Sequence, residues 1–461
     1  MPESTPSFPQ SRRVLNLWDL IVYGIVLIQP IAPVGVFGLA SKISRGHAVT
    51  TILIAMVAMM CTALSYGRLA ALYPAAGSAY TYVGRTFNSQ VGFLVGWAMF
   101  LDYLIIPIIN TIYAALTLQR LVPQLPYVVW VAALTCAMTV LNLRGVSSMA
   151  RTNQWLLAVM TVVIGAFVVL AIRYLFGAQG WPGLLSVTPF YNPQTFDVRS
   201  IMTGTSLAAL TYIGFDGVTT LAEEVERPRR TVPLATVLVC LLTGVFSTVE
   251  IYLAQRVWPD YNSFPNLETA FMDVTRRVGG EPLFQAMGLI LIVACLGSGL
   301  TGQAGAARLM YGMGRDDVLP KRIFGHLDPK RNDPSWNIWF IGICSFAGSL
   351  LMSYERTAEL LNFGAFLAFM GVNLSAIRTF YFRPGAGVPE PGGPEPRGKA
   401  SFLADAAVPA LGFLFCLAIW WNLPAPAKIG GGIWLAGGVI YVAVKTRGFR
   451  DKFKTVDFKE A

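Results

Sequence analysis

Charged residues are scarce in this sequence. Asp, Glu, Lys and Arg make up 13% of its 461 residues, whereas a soluble domain carries about 25%. A water-soluble globule of this length is therefore excluded. Histidine is almost absent, with two residues, and none of the six cysteines forms a C-x-x-C pair. The sequence thus lacks the usual side chains for a metal centre or a nucleophile–base pair, and we expect no metal, no cofactor and no enzymatic activity.

Long apolar runs are what the sequence has instead. Hydrophobic residues make up 54% of the chain, and stretches of about 20 apolar residues, each long enough to cross a bilayer, recur along it. They predict an all-α polytopic membrane protein with about 12 transmembrane helices. The predicted spans are 18–40, 48–70, 91–118, 127–142, 150–174, 201–222, 233–256, 284–307, 336–352, 358–380, 405–422 and 429–446.

The net charge of +10 is placed according to membrane topology. With a cytoplasmic N-terminus, most lysines and arginines fall in segments on the cytoplasmic side, as the positive-inside rule requires. We therefore expect no nucleic-acid partner, and both termini in the cytoplasm. A Pro/Gly-rich segment at 381–404 predicts a flexible cytoplasmic linker, and residues 1–17 and 447–461 are predicted cytoplasmic tails.

Two of the predicted spans are interrupted in their middle. Span 1 contains QPIAPVGVFG (29–38), and span 6 contains TYIGFDGVTT (211–220). Proline removes a backbone donor and disrupts a helix, and non-helical backbone at membrane depth is tolerated only where it is buried in protein or lines a wet cavity. Interrupted helices at corresponding positions of two halves indicate a transporter site between inverted repeats, here 18–174 and 201–380, followed by spans 11–12 in 405–446. Two ordinary kinked helices are the alternative.

Several longer motifs resemble one known superfamily. ALSYGRLAALYPAAGSAYTYVGRTF (63–87), YIGFDGVTTLAEEVERPRRTVPLA (212–235) and RLMYGMGRDDVLPKRIFGHLDPKRNDP (308–334) resemble amino acid–polyamine–organocation transporters. Within that superfamily, VGFLVGWAMFLDYLIIPIIN (91–110) and LLNFGAFLAFMGVNLS (360–375) are most similar to bacterial putrescine importers.

The resemblance implies a fold and a mode of action. It implies the leucine-transporter fold, with 5+5 inverted repeats and broken helices 1 and 6, and alternating access in the bacterial inner membrane driven by a proton or other cation gradient. Many relatives carry a Gly-Ser-Gly run in span 1 that binds a substrate carboxylate through backbone amides. Here Pro33, which has no amide hydrogen, lies in that region. Some relatives carry a Lys in span 5 that replaces a sodium ion. This chain has no basic residue between Arg151 and Arg173, so the coupling residue is unassigned.

Two carboxylates fall at membrane depth, Asp102 in span 3 and Asp216 at the break in span 6. Asp102 either pairs with a substrate ammonium or carries a proton, or it caps a broken helix. Asp216 either faces an amine or accepts from the freed amides of the second half-helix. Both are proton-coupling candidates. A pair of carboxylates suits a dication such as putrescine, whereas a zwitterion would need receptors of both signs.

Further residues complete the predicted site. Tyr103, Tyr212 and Phe215 can line the ligand and add cation–π attraction, although such residues also serve as packing. Ser298, Thr301 and Gln303 of span 8 can face the pathway, and Glu250 of span 7 is expected at the membrane interface. The substrate-binding candidates together are Ile31, Ala32, Pro33, Gly35, Asp102, Tyr103, Tyr212, Gly214, Phe215, Asp216, Gly217 and Asn362. Glu223, Glu224 and Arg227 are candidates for an inner gate, or a solvated charged face.

These observations favour a secondary transporter that imports putrescine or a related amine. An amino-acid permease or exchanger of the same superfamily is the alternative. An ion channel would require a filter motif or a pore helix, and a membrane enzyme would require a catalytic constellation, and the sequence displays neither.

Overall fold

The computed structural model describes residues 15–29, 31–73, 78–144, 149–315, 319–328, 333–382, 401–448 and 450. Most of the predicted N-terminal tail (1–17), linker (381–404) and C-terminal tail (447–461) lies outside the described residues, as does Pro30 in the predicted break of span 1.

Within the described ranges the chain is helical. An isolated bridge between Leu15 and Val225 is the only β pairing there. The helices are α1 Leu17–Ile28, α2 Ala32–Ile43, α3 Ala48–Leu72, α4 Ser78–Thr86, α5 Ser89–Leu121, α6 Tyr127–Arg144, α7 Met149–Gln179, α8 Trp181–Leu184, α9 Val198–Ala208, α10 Pro228–Val257, α11 Ala270–Arg315, α12 Lys321–Phe324, α13 Ser335–Leu351, α14 Tyr354–Ile377, α15 Val408–Trp421 and α16 Ala425–Lys445. Two 3₁₀ segments, Ala209–Tyr212 and Phe215–Glu224, continue α9, and π-helical turns Arg378–Phe382 and Phe402–Ala407 flank the linker.

Nine of the described helices are long and apolar enough to cross a membrane, and α1 with α2, bent by 45° at their junction, brings the number to ten. Helix α13 is apolar but shorter. The prediction of an all-helical, polytopic membrane protein is therefore confirmed. The reason is physical: with no water in the bilayer core, a spanning segment must satisfy its backbone groups internally.

The helices pack around α5 and α14, whose apolar segments are the most deeply buried, while α6, α7, α15 and α16 expose most of theirs. Glycine allows the closest approaches. A Cβ on Gly364 of α14 would lie 2.5 Å from the Ala98 carbonyl oxygen of α5, and one on Gly67 of α3 would lie 2.7 Å from the Cα atom of Pro233. Small residues at such crossings let membrane helices pack backbone to backbone.

Two predicted connections contain helices. The segment between spans 2 and 3 holds α4, and the long connection before span 8 becomes helical at Ala270. Helix α11 is interrupted at Gly280, where φ is +66°, so its first part is a separate helix that leads into the span. Sequence periodicity missed both, because each is short or joined to a longer apolar run.

The bundle has two ends. The terminal side, at which α1 begins, holds the bridge between Leu15 and Val225. The opposite side holds the turn after α2, where Ser44 contacts the position of Gly204 in α9. Helices α1 and α2 thus run from the terminal side to the opposite side, and α9 with its 3₁₀ segments runs the other way.

Candidate functional site

The first interruption lies between α1 and α2, at Gln29 and Ile31, and we call it the first break. Gln29 adopts φ +71°, a left-handed conformation that is uncommon outside glycine. Its side chain holds the break in place, because Nε2 donates to the Ala294 carbonyl oxygen of α11 at 2.9 Å. Helix α2 then begins at Ala32, with Pro33 in its first turn, a position that proline tolerates because no intrahelical donor is needed there.

The second interruption, residues 213–214, separates the two 3₁₀ segments, and we call it the second break. Ile213 is extended, and Gly214 has φ +115°, which glycine adopts without steric cost. The two breaks contact each other. A Cβ on Gly217 would lie 2.2 Å from Leu27 Cδ2, and one on Gly214 would lie 3.4 Å from Ile28 Cγ1.

A cavity of about 120 Å³ lies between the two breaks and helices α5, α11 and α14, with room for several water molecules. It follows α5 from Asp102 to Tyr113, which is about 16 Å of helix. Most of its lining is apolar, and its polar groups come from a few side chains and the interrupted backbone. Pockets of this composition bind small molecules.

Eight of the twelve substrate-binding candidates line this cavity, namely Ile31, Ala32, Gly35, Asp102, Tyr103, Gly214, Asp216 and Gly217. Their contact with a substrate stays a prediction. Four others are absent from the lining. Pro33 is buried in α2, and Tyr212 donates to the Ile52 carbonyl oxygen at 2.9 Å. Phe215 packs on Tyr66 and Phe369 at centroid distances of 5.5 and 5.2 Å, and Asn362 donates to the Ser206 carbonyl oxygen at 2.6 Å.

The two aspartates differ in their protein partners. Each is 6% exposed, and both line the cavity. Asp102 Oδ1 is buried without any hydrogen-bond partner in the described residues. The Asp216 carboxyl group instead interacts with backbone N–H groups at the second break, including those of Gly214 and Gly217. No Lys, Arg or His is among the described residues that line the cavity.

The backbone at the start of α2 offers few donors to a ligand. The Ala32 N–H donates to the Gln29 carbonyl oxygen at 2.9 Å, and the Val34 N–H donates to the Ile31 carbonyl oxygen at 3.1 Å. Pro33 between them has no N–H. The free amides that bind an anion at a helix N-terminus are therefore lacking over the described residues 32–34.

Sequence reasoning missed some lining residues, chiefly Gln29, Asn110, Tyr113 and Tyr354. Asn110 donates to the Ile106 carbonyl oxygen at 2.9 Å and to Ser298 Oγ at 3.2 Å. Tyr113 and Tyr354 pack against each other with ring centroids 5.1 Å apart, toward the opposite side of the bundle. Hydropathy does not show which face of an apolar helix points to the interior of the bundle. A polar residue within a span, such as Asn110, is nevertheless a signal that could have identified part of the lining.

The predicted gate lies at the terminal side. Glu223 and Glu224 end the second 3₁₀ segment, and their side chains lie outside the described part of the chain. Arg227, the N-cap residue of α10, is exposed and makes no side-chain capping bond. Glu250 is expected at the membrane interface. In the structure its side chain is buried among the helices and only 1% exposed.

Comparison with known proteins gives consistent results. The family model described as amino acid permease matches residues 15–444. The chain is 35% identical to the low-affinity putrescine importer PlaP of Escherichia coli K12, covering 95% of both chains. It is 27% identical to the branched-chain amino acid permease BcaP of Lactococcus lactis, covering 94% of this chain and 95% of that protein. It is 28% identical to the vacuolar cationic amino acid transporter 4 of Arabidopsis thaliana, over 82% of this chain and 65% of that protein.

Proposed function

The chain belongs to the amino acid permease family, and on that premise we propose that it is a secondary active transporter that imports putrescine or a related amine. It is an integral membrane protein, and its relatives are named as importers, permeases and transporters rather than as enzymes. The finer statements on substrate, coupling and topology are part of the proposal.

The observation that carries the proposal is the charge of the cavity. Asp102 and Asp216 both line it, and no basic side chain does so in the described chain. An ammonium group can bind to a carboxylate through a charge-assisted hydrogen bond, and the apolar lining suits the methylene chain of a diamine. An amino acid would add a carboxylate close to two others, which is unfavourable.

The start of α2 supports the same preference. The amides of Ala32 and Val34 are used within the turn, and Pro33 supplies none. A substrate carboxylate would lack the backbone donors on which many relatives of this superfamily rely. Carbonyl groups at the end of α1 carry partial negative charge and would accept from the ammonium group instead.

We further propose alternating access in a fold of 5+5 inverted repeats with about 12 spans, the terminal side facing the cytoplasm. The opposite directions of the two broken segments support the repeat. Spans 1, 2, 6 and 7 would rock against spans 3, 4, 8 and 9, and ion pairs among Glu223, Glu224 and Arg227 would open at the inner gate. A proton or another cation would drive uptake, with Asp102 and Asp216 as candidates to carry a proton.

The test is uptake of radiolabelled putrescine into proteoliposomes with an imposed pH gradient. We expect saturable uptake that diamines inhibit and that neutral and basic amino acids do not. The identity to a branched-chain amino acid permease makes amino-acid transport the second candidate. Amino-acid uptake without putrescine uptake would refute the amine assignment and leave the family assignment intact.

A further inference from the structure

One buried carboxyl group has no task in the site described above. Glu250 lies in α10, about 10 Å along the helix from its end at Val257. It is 1% exposed, and neither Oε1 nor Oε2 has a hydrogen-bond partner among the described residues. Buried polar atoms in native proteins are nearly always hydrogen-bonded, so each exception requires an explanation.

None of the ion pairs found among the described residues includes Glu250. Lys42 of α2 donates to Asn262 Oδ1 at 2.6 Å. His47, at the start of α3, is bonded to Ser44 and Asn192. The other titratable groups in that half of the bundle, on α10 or on elements packed against it, are Arg173, Tyr174, Tyr212, Tyr252, Arg256, Asp273, Arg276, Arg277 and Cys295.

A carboxylate buried without partners is strongly unfavourable, and such a group takes up a proton instead. Ser247 lies one turn earlier on the same face of α10, and its hydroxyl is also buried without a partner among the described residues. Glu250 and Ser247 thus form a polar site inside the bundle. The described part of the chain contains no group of three or more His, Cys, Asp or Glu side chains that could hold a metal ion.

The position of α10 links this site to the moving parts. Helix α10 packs against α1 and α2, on both sides of the first break, and against both 3₁₀ segments, on both sides of the second break. A rearrangement of the breaks would therefore change the packing of α10, the helix that carries Glu250. Glu250 is not part of the cavity lining, so a proton there does not compete with a substrate for the same carboxylates.

We propose that Glu250 is the proton-binding residue that couples uptake to the pH gradient. It takes up a proton from the opposite side of the bundle, near which it lies in α10, and releases the proton when the breaks rearrange. The inference rests on the proposed proton-coupled uptake. Asp102 and Asp216 would then bind the cationic substrate, and the proton would have a separate site.

The experiment combines two readouts on the full-length protein. Infrared spectroscopy of the purified protein at neutral pH should show a protonated-carboxyl C=O band that Glu250→Gln removes. In proteoliposomes, Glu250→Gln should lose accumulation driven by a pH gradient, which is up to about tenfold per pH unit for each coupled proton. It should retain exchange of external for internal putrescine, which needs no net proton movement.

Two variants separate a coupling role from a structural one. Thr248→Ala removes a side-chain hydrogen bond of α10 outside this polar site, from Thr248 Oγ1 to the Gly244 carbonyl oxygen at 2.7 Å, and should keep pH-driven accumulation. Glu250→Asp keeps a titratable carboxyl group and should keep accumulation with a shifted pH profile. An unshifted profile would overturn the proposal, and this test does not depend on whether Glu250→Gln folds. An unchanged infrared band in Glu250→Gln, or pH-driven accumulation equal to the unmodified protein, would also overturn it. If the unmodified protein does not respond to a pH gradient, proton coupling itself fails. If Glu250→Gln still removes the infrared band in that case, Glu250 binds a proton that does not drive uptake.

Discussion

Replacement of Asp102 by Asn separates a substrate-binding role from a structural one, because of how the carboxyl group is held. Asp102 Oδ1 has no hydrogen-bond partner in the described protein, while the side chain lines the cavity. Asn has nearly the same shape and no charge. The variant therefore removes the negative charge that an ammonium group would meet, without breaking a hydrogen bond of Oδ1 within the protein.

The expected magnitude follows from the bond that is lost. A hydrogen bond to a charged group contributes about 1.5–3 kcal/mol, and about 1.4 kcal/mol corresponds to a factor of ten in affinity. Asp102→Asn should therefore weaken putrescine binding by about 10- to 150-fold. Thermal stability should remain unchanged or rise slightly, since the variant relieves the burial of a carboxyl group near Asp216.

Competition binding and thermal unfolding in detergent measure the two quantities. Asp405→Asn is the matched control. Asp405 is paired with Arg68, whose guanidinium also lies 4.1 Å from the Phe380 ring centroid. The pair is partly exposed, so removal of one partner should cost about 1–3 kcal/mol of stability and should leave putrescine affinity unchanged. Unaltered affinity in Asp102→Asn, or a loss of stability as large as in the control, would refute the assignment of Asp102 to the substrate.

Three more variants test the site and its frame. Asp216→Asn should abolish uptake while the protein still inserts and elutes as a folded species, and normal uptake would remove it from the site. Gly217→Ala places a Cβ 2.2 Å from Leu27 Cδ2 and should cost about 1–3 kcal/mol by overpacking; Leu27→Ala in the same chain should restore part of this, and purely additive costs would argue against contact between the breaks. The Asn192 N–H donates to His47 Nε2 at 3.1 Å, and His47→Ala removes this acceptor. The change should lower stability by about 1–3 kcal/mol. It should make residues 185–197 more sensitive to proteolysis and leave putrescine affinity unchanged.

Much of the frame could be predicted because the bilayer imposes it. Apolar runs identify helices, since a spanning segment has few alternatives. The first break was predictable from the Pro and Gly residues of QPIAPVGVFG, and the structure interrupts the helix at Gln29. The second was predictable from Gly214 and Gly217, and the structure gives Gly214 a positive φ. Local chemistry fixed these features, so sequence alone was sufficient for them.

The rest depends on contacts between distant residues. Tyr212 and Phe215 were placed beside the ligand because they adjoin the second break, yet the 3₁₀ geometry directs Tyr212 to Ile52 and Phe215 into the aromatic core. Glu250 is expected at the interface because it lies near the end of a span. Helix α10 ends at Val257, one residue beyond the predicted span, and the neighbouring helices cover the Glu250 side chain. Neither orientation is encoded in the local pattern.

Contact between the two breaks bears on how the transporter would move. Gly214 and Gly217 pack on Leu27 and Ile28 with no room for a side chain at Gly217, so a shift of α1 would change the packing of the second break. Gln29 fixes the same point to α11 through the Ala294 carbonyl oxygen. A substrate between the breaks would therefore act on both broken segments, and a displacement of the first break from α11 would break the Gln29 hydrogen bond. Helix α10, which carries Glu250, packs on both broken segments. The same displacement would then change access to the substrate carboxylates and to the buried proton, which is the condition for coupling between them.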